Sequence, residues 1–232
     1  MPRSKRKTKK TTTRTVRKRK AVSSGKIISE LLELKIPKSV LEPIARIYRE
    51  PIEMRGSLRT ILEKASGDFL KLLHRIFVRK ENDKRGRFLE YRTALWIAKK
   101  HRGEITKIDV DYKVPGVGEL DVVGLDEDDR VVVFAECKTR PVRYEDIDKW
   151  LSNIKRVFNQ YPGVIAYSYF VSSSGYSRGV IDRVKKSPEI SNGKLMMPLT
   201  DAIKSILSGG FRRSVDIEII DERKGKFITV FP

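Results

Sequence analysis

Two short stretches, Gly118-Glu119-Leu120-Asp121 and Glu136-Cys137-Lys138, decide how this chain folds and what it does. Val122-Val123 follow the first stretch, and Val131 to Ala135 lead into the second, so both read as parts of neighbouring β-strands. Side chains alternate faces along a strand, which predicts Glu119 and Asp121 on one face and Glu136 with Lys138 on one face. Carboxylates and an ammonium within apolar strands are costly unless they pair or hold a cation. Residues of this kind in this setting point to chemistry.

Working outward, Arg85 to His101 reads as a helix. Ile105 to Tyr112, Gly118 to Gly124 and Arg130 to Lys138 read as successive strands, separated by Pro115-Gly116 and the acidic turn Asp126 to Asp129. Tyr144 to Tyr161 reads as a helix, Val164 to Val171 as a strand, and Ser177 to Lys186 and Leu199 to Leu207 as further helices. Val215 to Ile220 and Lys226 to Phe231 form a closing hairpin in this reading. The order predicts a mixed α/β sheet domain over residues 83–232. Upstream, residues 26–82 carry apolar spacing for helices near 27–34, 37–50 and, capped by Ser57 with an interruption at Gly67, 58–77; they read as a packing or interaction module.

This arrangement resembles the PD-(D/E)XK nuclease superfamily. The likeness rests on Asp121, a gap of 14 residues, then Glu136-Cys137-Lys138, with Glu90 on the helix before the first strand, and it covers roughly residues 84–172. Glu119-Leu120 stands where the motif's proline would be. The resemblance implies an α/β fold, a restriction-endonuclease-like mixed β-sheet core flanked by helices. It implies Mg²⁺ or Mn²⁺ held by Asp121, Glu136 and the backbone carbonyl of Cys137, with Glu90 completing the site directly, through water or at a second metal, and Lys138 orienting and helping to deprotonate the attacking water and offsetting phosphate charge. Hard oxygen ligands suit those cations. On helical geometry Glu90 falls near Ala94 and Ile97, facing the core, so the three carboxylates are expected on one side of the sheet. Carboxylates too far apart to share one ion, or aimed at opposite sides of the sheet, would end the hydrolytic reading and leave a basic scaffold that binds polyanions.

Composition supports a polyanion partner. The net charge is +20, and 12 of these charges lie before residue 30, leaving eight for the rest. Residues 1–25 hold almost nothing apolar and read as a disordered basic tail, with Arg3 to Lys20 available to phosphates. Arg140, Arg143, Lys149, Lys155 and Arg156 follow the motif and divide between phosphate contact and a solvated face. One cysteine excludes an internal disulfide and a cysteine-clustered metal site. No apolar run is long enough for a membrane span, so the reading is an intracellular protein, cytoplasmic or nucleoid-associated.

The expectation is a metal-dependent DNA nuclease, by preference an endonuclease. RNA remains open as a partner, as does a homodimer formed through the hairpin or the 27–80 helices. The alternative is a nucleic-acid-binding protein that keeps the fold without cutting. Substrate structure is not legible: no Gln-x-x-Tyr-like element follows Lys138.

Overall fold

The computed structural model describes residues 23–48, 50, 55–78, 84–198 and 213–232. Four helices come first: α1 (Ser24–Glu33), α2 (Lys38–Ile47), α3 (Leu58–Lys64) and α4 (Gly67–Val78). The helix expected over 58–77, with an interruption at Gly67, is two helices that part at Ala65 and Ser66, just before that glycine. Ser57 Oγ caps α3 by accepting from the Thr60 amide at 3.1 Å. Ala65 is extended, and Ser66 Oγ then accepts from the Phe69 amide at 3.2 Å, starting a new helix before Gly67.

Helix α5 (Lys84–Lys100) leads into the meander β1 (Lys107–Val114), β2 (Gly118–Leu125) and β3 (Val131–Lys138). Asp126 Oδ1 closes the β2–β3 turn by accepting from the amides of Asp128 and Arg130. Helix α6 (Tyr144–Gln160) crosses to β4 (Tyr167–Ser172), which lies parallel to β3. After α7 (Arg178–Lys185) come the short strands β5 (Ile190–Ser191) and β6 (Lys194–Met196), absent from the sequence reading, and then β7 (Ser214–Asp221) and β8 (Ile228–Phe231). The helix expected over Leu199 to Leu207 and the tail Arg3 to Lys20 lie outside the described residues.

Among the described residues the sheet runs β1-β2-β3-β4-β7-β6-β5, with β8 also on β7. The closing hairpin exists, but its first strand is not an appendage. β7 lies inside the sheet, parallel to β4, because Val215, Ile217 and Ile219 have the apolar alternation of a buried strand.

Two apolar layers sandwich the sheet. One face carries Val122, Val133, Ala135 and Cys137 against Ala94 and Ile97 of α5, and the same cluster takes in Ile27, Leu31, Leu41, Ile44 and Leu73 from α1, α2 and α4. The other carries Val123, Phe134, Phe170 and Ile219 against Ile147, Trp150, Ile154 and Phe158 of α6. Burying a side chain of this size stabilises by about 1.5–3 kcal/mol. The two layers fix α5 and α6 on opposite faces of β3.

Candidate active site

Gly116 and Gly118 open the strand that carries Asp121, at φ values of 72° and 115° that a side chain would resist. Three residues on, the β1–β2 ladder has a fault. Val110 pairs with Val122 and Tyr112 with Leu120, while Asp111 and Asp121 are stepped over. Asp111 sits at φ 51°, a left-handed conformation that aspartate tolerates better than most residues.

The fault rotates the strand. Val110 and Val122 belong to the α5-side layer, whereas Tyr112 and Leu120 belong to the α6-side layer. Simple alternation through Glu119, Asp121 and Val123 therefore fails. Glu119 is exposed, and Asp121, half-buried, lies where the alternation changes face.

The β2–β3 ladder ends just there, at Val122 opposite Ala135. Beyond it the strands separate, and Asp121 Oδ2 accepts from the Cys137 amide at 2.7 Å. Glu136 is 2% exposed and receives Lys138 Nζ on Oε1 at 2.7 Å. Lys149 Nζ, 65% exposed on α6, lies 4.0 Å from the same oxygen. Burial first, then the like charge of Glu136, raises the Asp121 carboxyl to about 6, against the pull of the Cys137 amide, Lys138 and Lys149. Burial lowers the affinity of Lys138 for its proton, but the hydrogen bond and charge of Glu136, with Asp121, hold it above its ordinary value.

Cys137 points the other way, towards α5. Its Sγ is 3.6 Å from Thr93 Oγ1, and burial followed by the charges of Asp121, Glu90 and Glu136 pushes the thiol far up, the Thr93 contact opposing. It is a buried filler, as alternation predicts. Glu90, half-buried on α5 one turn before Thr93, is near enough for its charge to act on the Cys137 thiol. Asp121 and Glu136 are brought together, the charge of one raising the carboxyl of the other.

Among the described residues no three His, Cys, Asp or Glu side chains are gathered closely enough to hold a metal ion by themselves. The donor chemistry nevertheless suits a hard divalent cation. Two buried carboxylates repel one another at the fork, and a cation between them would relieve the repulsion that raises Asp121.

The basic residues after the motif divide. Arg140 is bound in two places to Asp146, through Nη1 at 2.8 Å and Nη2 at 2.6 Å, and Lys155 is held by Glu189 at 2.7 Å. The Arg143 amide donates to Asp146 at the start of α6. Arg156 is exposed. Lys149 is the one of these five whose charge reaches the carboxylates of the fork. Ser172-Ser173-Ser174-Gly175 is a turn closed on itself: Ser172 Oγ accepts from the Ser174 amide, Ser174 Oγ donates to the Thr139 carbonyl, and the Ser173 amide to that of Lys138. Those donors are committed to holding the ends of β3 and β4. The role of Asp111 escaped the sequence reading; an aspartate flanked by strand residues carries no signal of a left-handed backbone.

No protein-family model matches the chain, and no curated protein does. Among solved structures it is similar to a repair endonuclease from Pyrococcus abyssi, at 19% identity and a TM-score of 0.31 over 42% of this chain. That overlap spans 43% of the neighbour's length. A likeness of that extent assigns neither residues nor an activity. No helix among the described residues is long and apolar enough to cross a membrane.

Proposed function

We propose that the chain is a metal-dependent DNA nuclease of the PD-(D/E)XK kind that cuts internal phosphodiester bonds. The observation that carries this reading is the fork: Asp121 and Glu136 share one buried space where β2 and β3 part, with the Lys138 ammonium fixed on Glu136. A structural ion pair would need one carboxylate, not two that repel. Asp121 and Glu136 would hold Mg²⁺ or Mn²⁺, with the Cys137 carbonyl and, from the α5 side, Glu90 as further donors. When bound, the cation would acidify a coordinated water and screen the phosphate charge.

The chain's own groups do the rest. Lys138, paired with Glu136, would orient the attacking water and help deprotonate it, and would offset the charge of a non-bridging phosphate oxygen. Lys149, exposed beside the same space, adds positive charge for the flanking phosphate. The Cys137 amide holds Asp121 in one orientation. Net positive charge brings the polyanion in.

A second reading, binding without cutting, is favoured by the lack of a preassembled three-acid cage among the described residues. One assay separates them. Plasmid and short duplex DNA should be nicked in Mg²⁺ or Mn²⁺ and left intact in EDTA, and Asp121→Asn should abolish nicking while the protein stays folded. DNA binding without cleavage in either metal would leave the second reading.

A further inference from the structure

Helix α5 presents residues at four-residue spacing, Phe88, Arg92, Trp96 and Lys100, along one stripe. Rings and cations alternate through it. The Arg92 guanidinium lies 5.5 Å from the Phe88 ring centroid and 5.8 Å from that of Phe227. Phe227 stacks on Trp96 at 5.2 Å and 8°, Trp96 meets Tyr169 edge-on, and Lys100 lies 4.9 Å from Trp96 and 4.8 Å from Tyr169.

The inner members are engaged within the fold. Lys100 is paired with Glu218 and Arg92 with Glu222, each at 2.5 Å. Phe88, the outer end of the stripe, is 59% exposed, with Arg92 beside it and Tyr91 6.5 Å away. An exposed phenyl next to a guanidinium is unfavourable to leave in water and favourable beneath another flat ring.

Its place in the fold says which ring. The Glu222 amide donates to the Ser172 carbonyl at 2.9 Å, and Ser172 pairs with Lys138, so the Arg92–Glu222 pair stands at the same sheet end as the fork. β7 lies two strands from β3, so at ~4.8 Å per strand its end, where Glu222 holds Arg92, is about 10 Å from Lys138, and Phe88 lies one helical turn before Arg92. That separation suits a nucleotide flanking the one at the fork.

We propose that Phe88, with Arg92, is a stacking platform for an unpaired base of DNA, seated beside the nucleotide whose phosphodiester lies at Asp121 and Glu136. This rests on the nuclease reading and narrows it to substrates with a single-stranded or frayed segment next to the cut. Stacking on an aromatic side chain tolerates every base, so the preference is for unpairing rather than sequence.

The test is equilibrium binding in EDTA, by fluorescence anisotropy, of a labelled single-stranded DNA and of its duplex to the full chain and to Phe88→Ala, Phe88→Leu and Phe88→Tyr. Phe88→Ala should weaken single-strand binding by about 5- to 100-fold and duplex binding by under about twofold. Phe88→Tyr should restore the single-strand affinity, and Phe88→Leu should not. Equal losses on both ligands, no loss on either, or full restoration by leucine would overturn the proposal. So would a tenfold preference for an RNA strand of the same sequence. If the expected pattern holds yet wild-type protein cuts nothing in Mg²⁺ or Mn²⁺, the platform stands and the nuclease reading falls. If DNA is cut and Phe88→Ala binds single strands normally, the reverse is true.

Discussion

The carboxylate of Asp121 takes the hydrogen bond of the Cys137 amide at 2.7 Å, one position beyond the last rung between β2 and β3. A side chain thereby replaces a backbone partner where the strands part. This single contact holds the fork open, orients Asp121 and brings it against Glu136. The same oxygen that closes the strand end would, on the proposed reading, set the position of the metal-binding carboxylate.

That double duty has a stability consequence. Above about pH 6 Asp121 is charged, and burial and Glu136 make that charge unfavourable in the folded chain. As pH falls through 6 towards the ordinary 3.8, the group protonates and the penalty fades. Asp121→Asn removes the charge and keeps an acceptor for the Cys137 amide. In EDTA at pH 7.5 it should be more stable than wild type by about 1–3 kcal/mol in urea denaturation, with the gap closing near pH 4. Asp121→Ala, which orphans the amide, should be less stable than Asp121→Asn.

Lys138 and Glu136 form a pair that is largely buried. Lys138→Met leaves a buried carboxylate uncompensated and should cost about 1–3 kcal/mol along with at least 100-fold in cleavage rate. Lys138→Arg should keep most of the stability and still cut slowly, since a planar fork does not occupy the place of a compact ammonium. Denaturation and single-turnover cleavage, measured side by side, separate the two effects.

The docking of the first helices is as specific as the site. Arg75 on α4 donates to Asp109 on β1 at 2.8 Å, and Tyr48 after α2 donates to the Ile108 carbonyl at 2.5 Å. Asp109 is nearly buried, and burial raises its carboxyl despite Arg75. Arg75→Met should destabilise by about 1–3 kcal/mol, and adding Asp109→Asn should recover part of the loss. Additive losses in the double variant would show that the pair is not coupled.

His101 ends α5, is 2% exposed, and shares a hydrogen bond of 2.6 Å with the Tyr169 hydroxyl. Burial lowers its affinity for a proton, Lys100 adds to this, and Glu104 and Glu218 oppose it. The folded chain therefore prefers the neutral ring, and its stability should fall as pH drops through the ordinary 6.5. His101→Gln should flatten that part of the pH–stability curve relative to wild type. An unchanged slope would mean that the ring protonates equally in both states.

Much of this was legible in the sequence. Glu136, Cys137 and Lys138 sit on the faces that strand alternation assigns them, because β3 is regular to its end. Asp121 and Glu136 come together as the pairing of their strands implies, since Val122 lies opposite Ala135. The left-handed backbone of Asp111 was illegible, because only the assembled sheet requires it. The place of β7 beside β4 depends on pairing between distant segments, which no local pattern carries. Phe88 gave no signal, since its neighbours Arg92 and Phe227 are far apart in the chain.

A cation should bind the fork before any DNA does, and stability reads this without reference to cutting. A ligand that binds only the folded chain stabilises it by an amount that grows with the logarithm of its concentration over Kd, about 2.7 kcal/mol at 100 times Kd. Two carboxylates that repel in the free protein gain most from that cation. Titration with Mg²⁺ and with Mn²⁺ should therefore raise the Tm of wild type progressively. Asp121→Asn, already relieved of its charge, should start higher in EDTA and respond weakly, so that the gap closes and then reverses as metal is raised. Glu90→Gln distinguishes the roles of the carboxylates. If Glu90 contributes a donor from the α5 side, its response to metal should be reduced by at least threefold in apparent affinity; if it only adds negative potential behind Cys137, the response should match wild type once ionic strength is raised. Equal thermal shifts in wild type and Asp121→Asn would place the cation elsewhere and remove the fork as the metal centre.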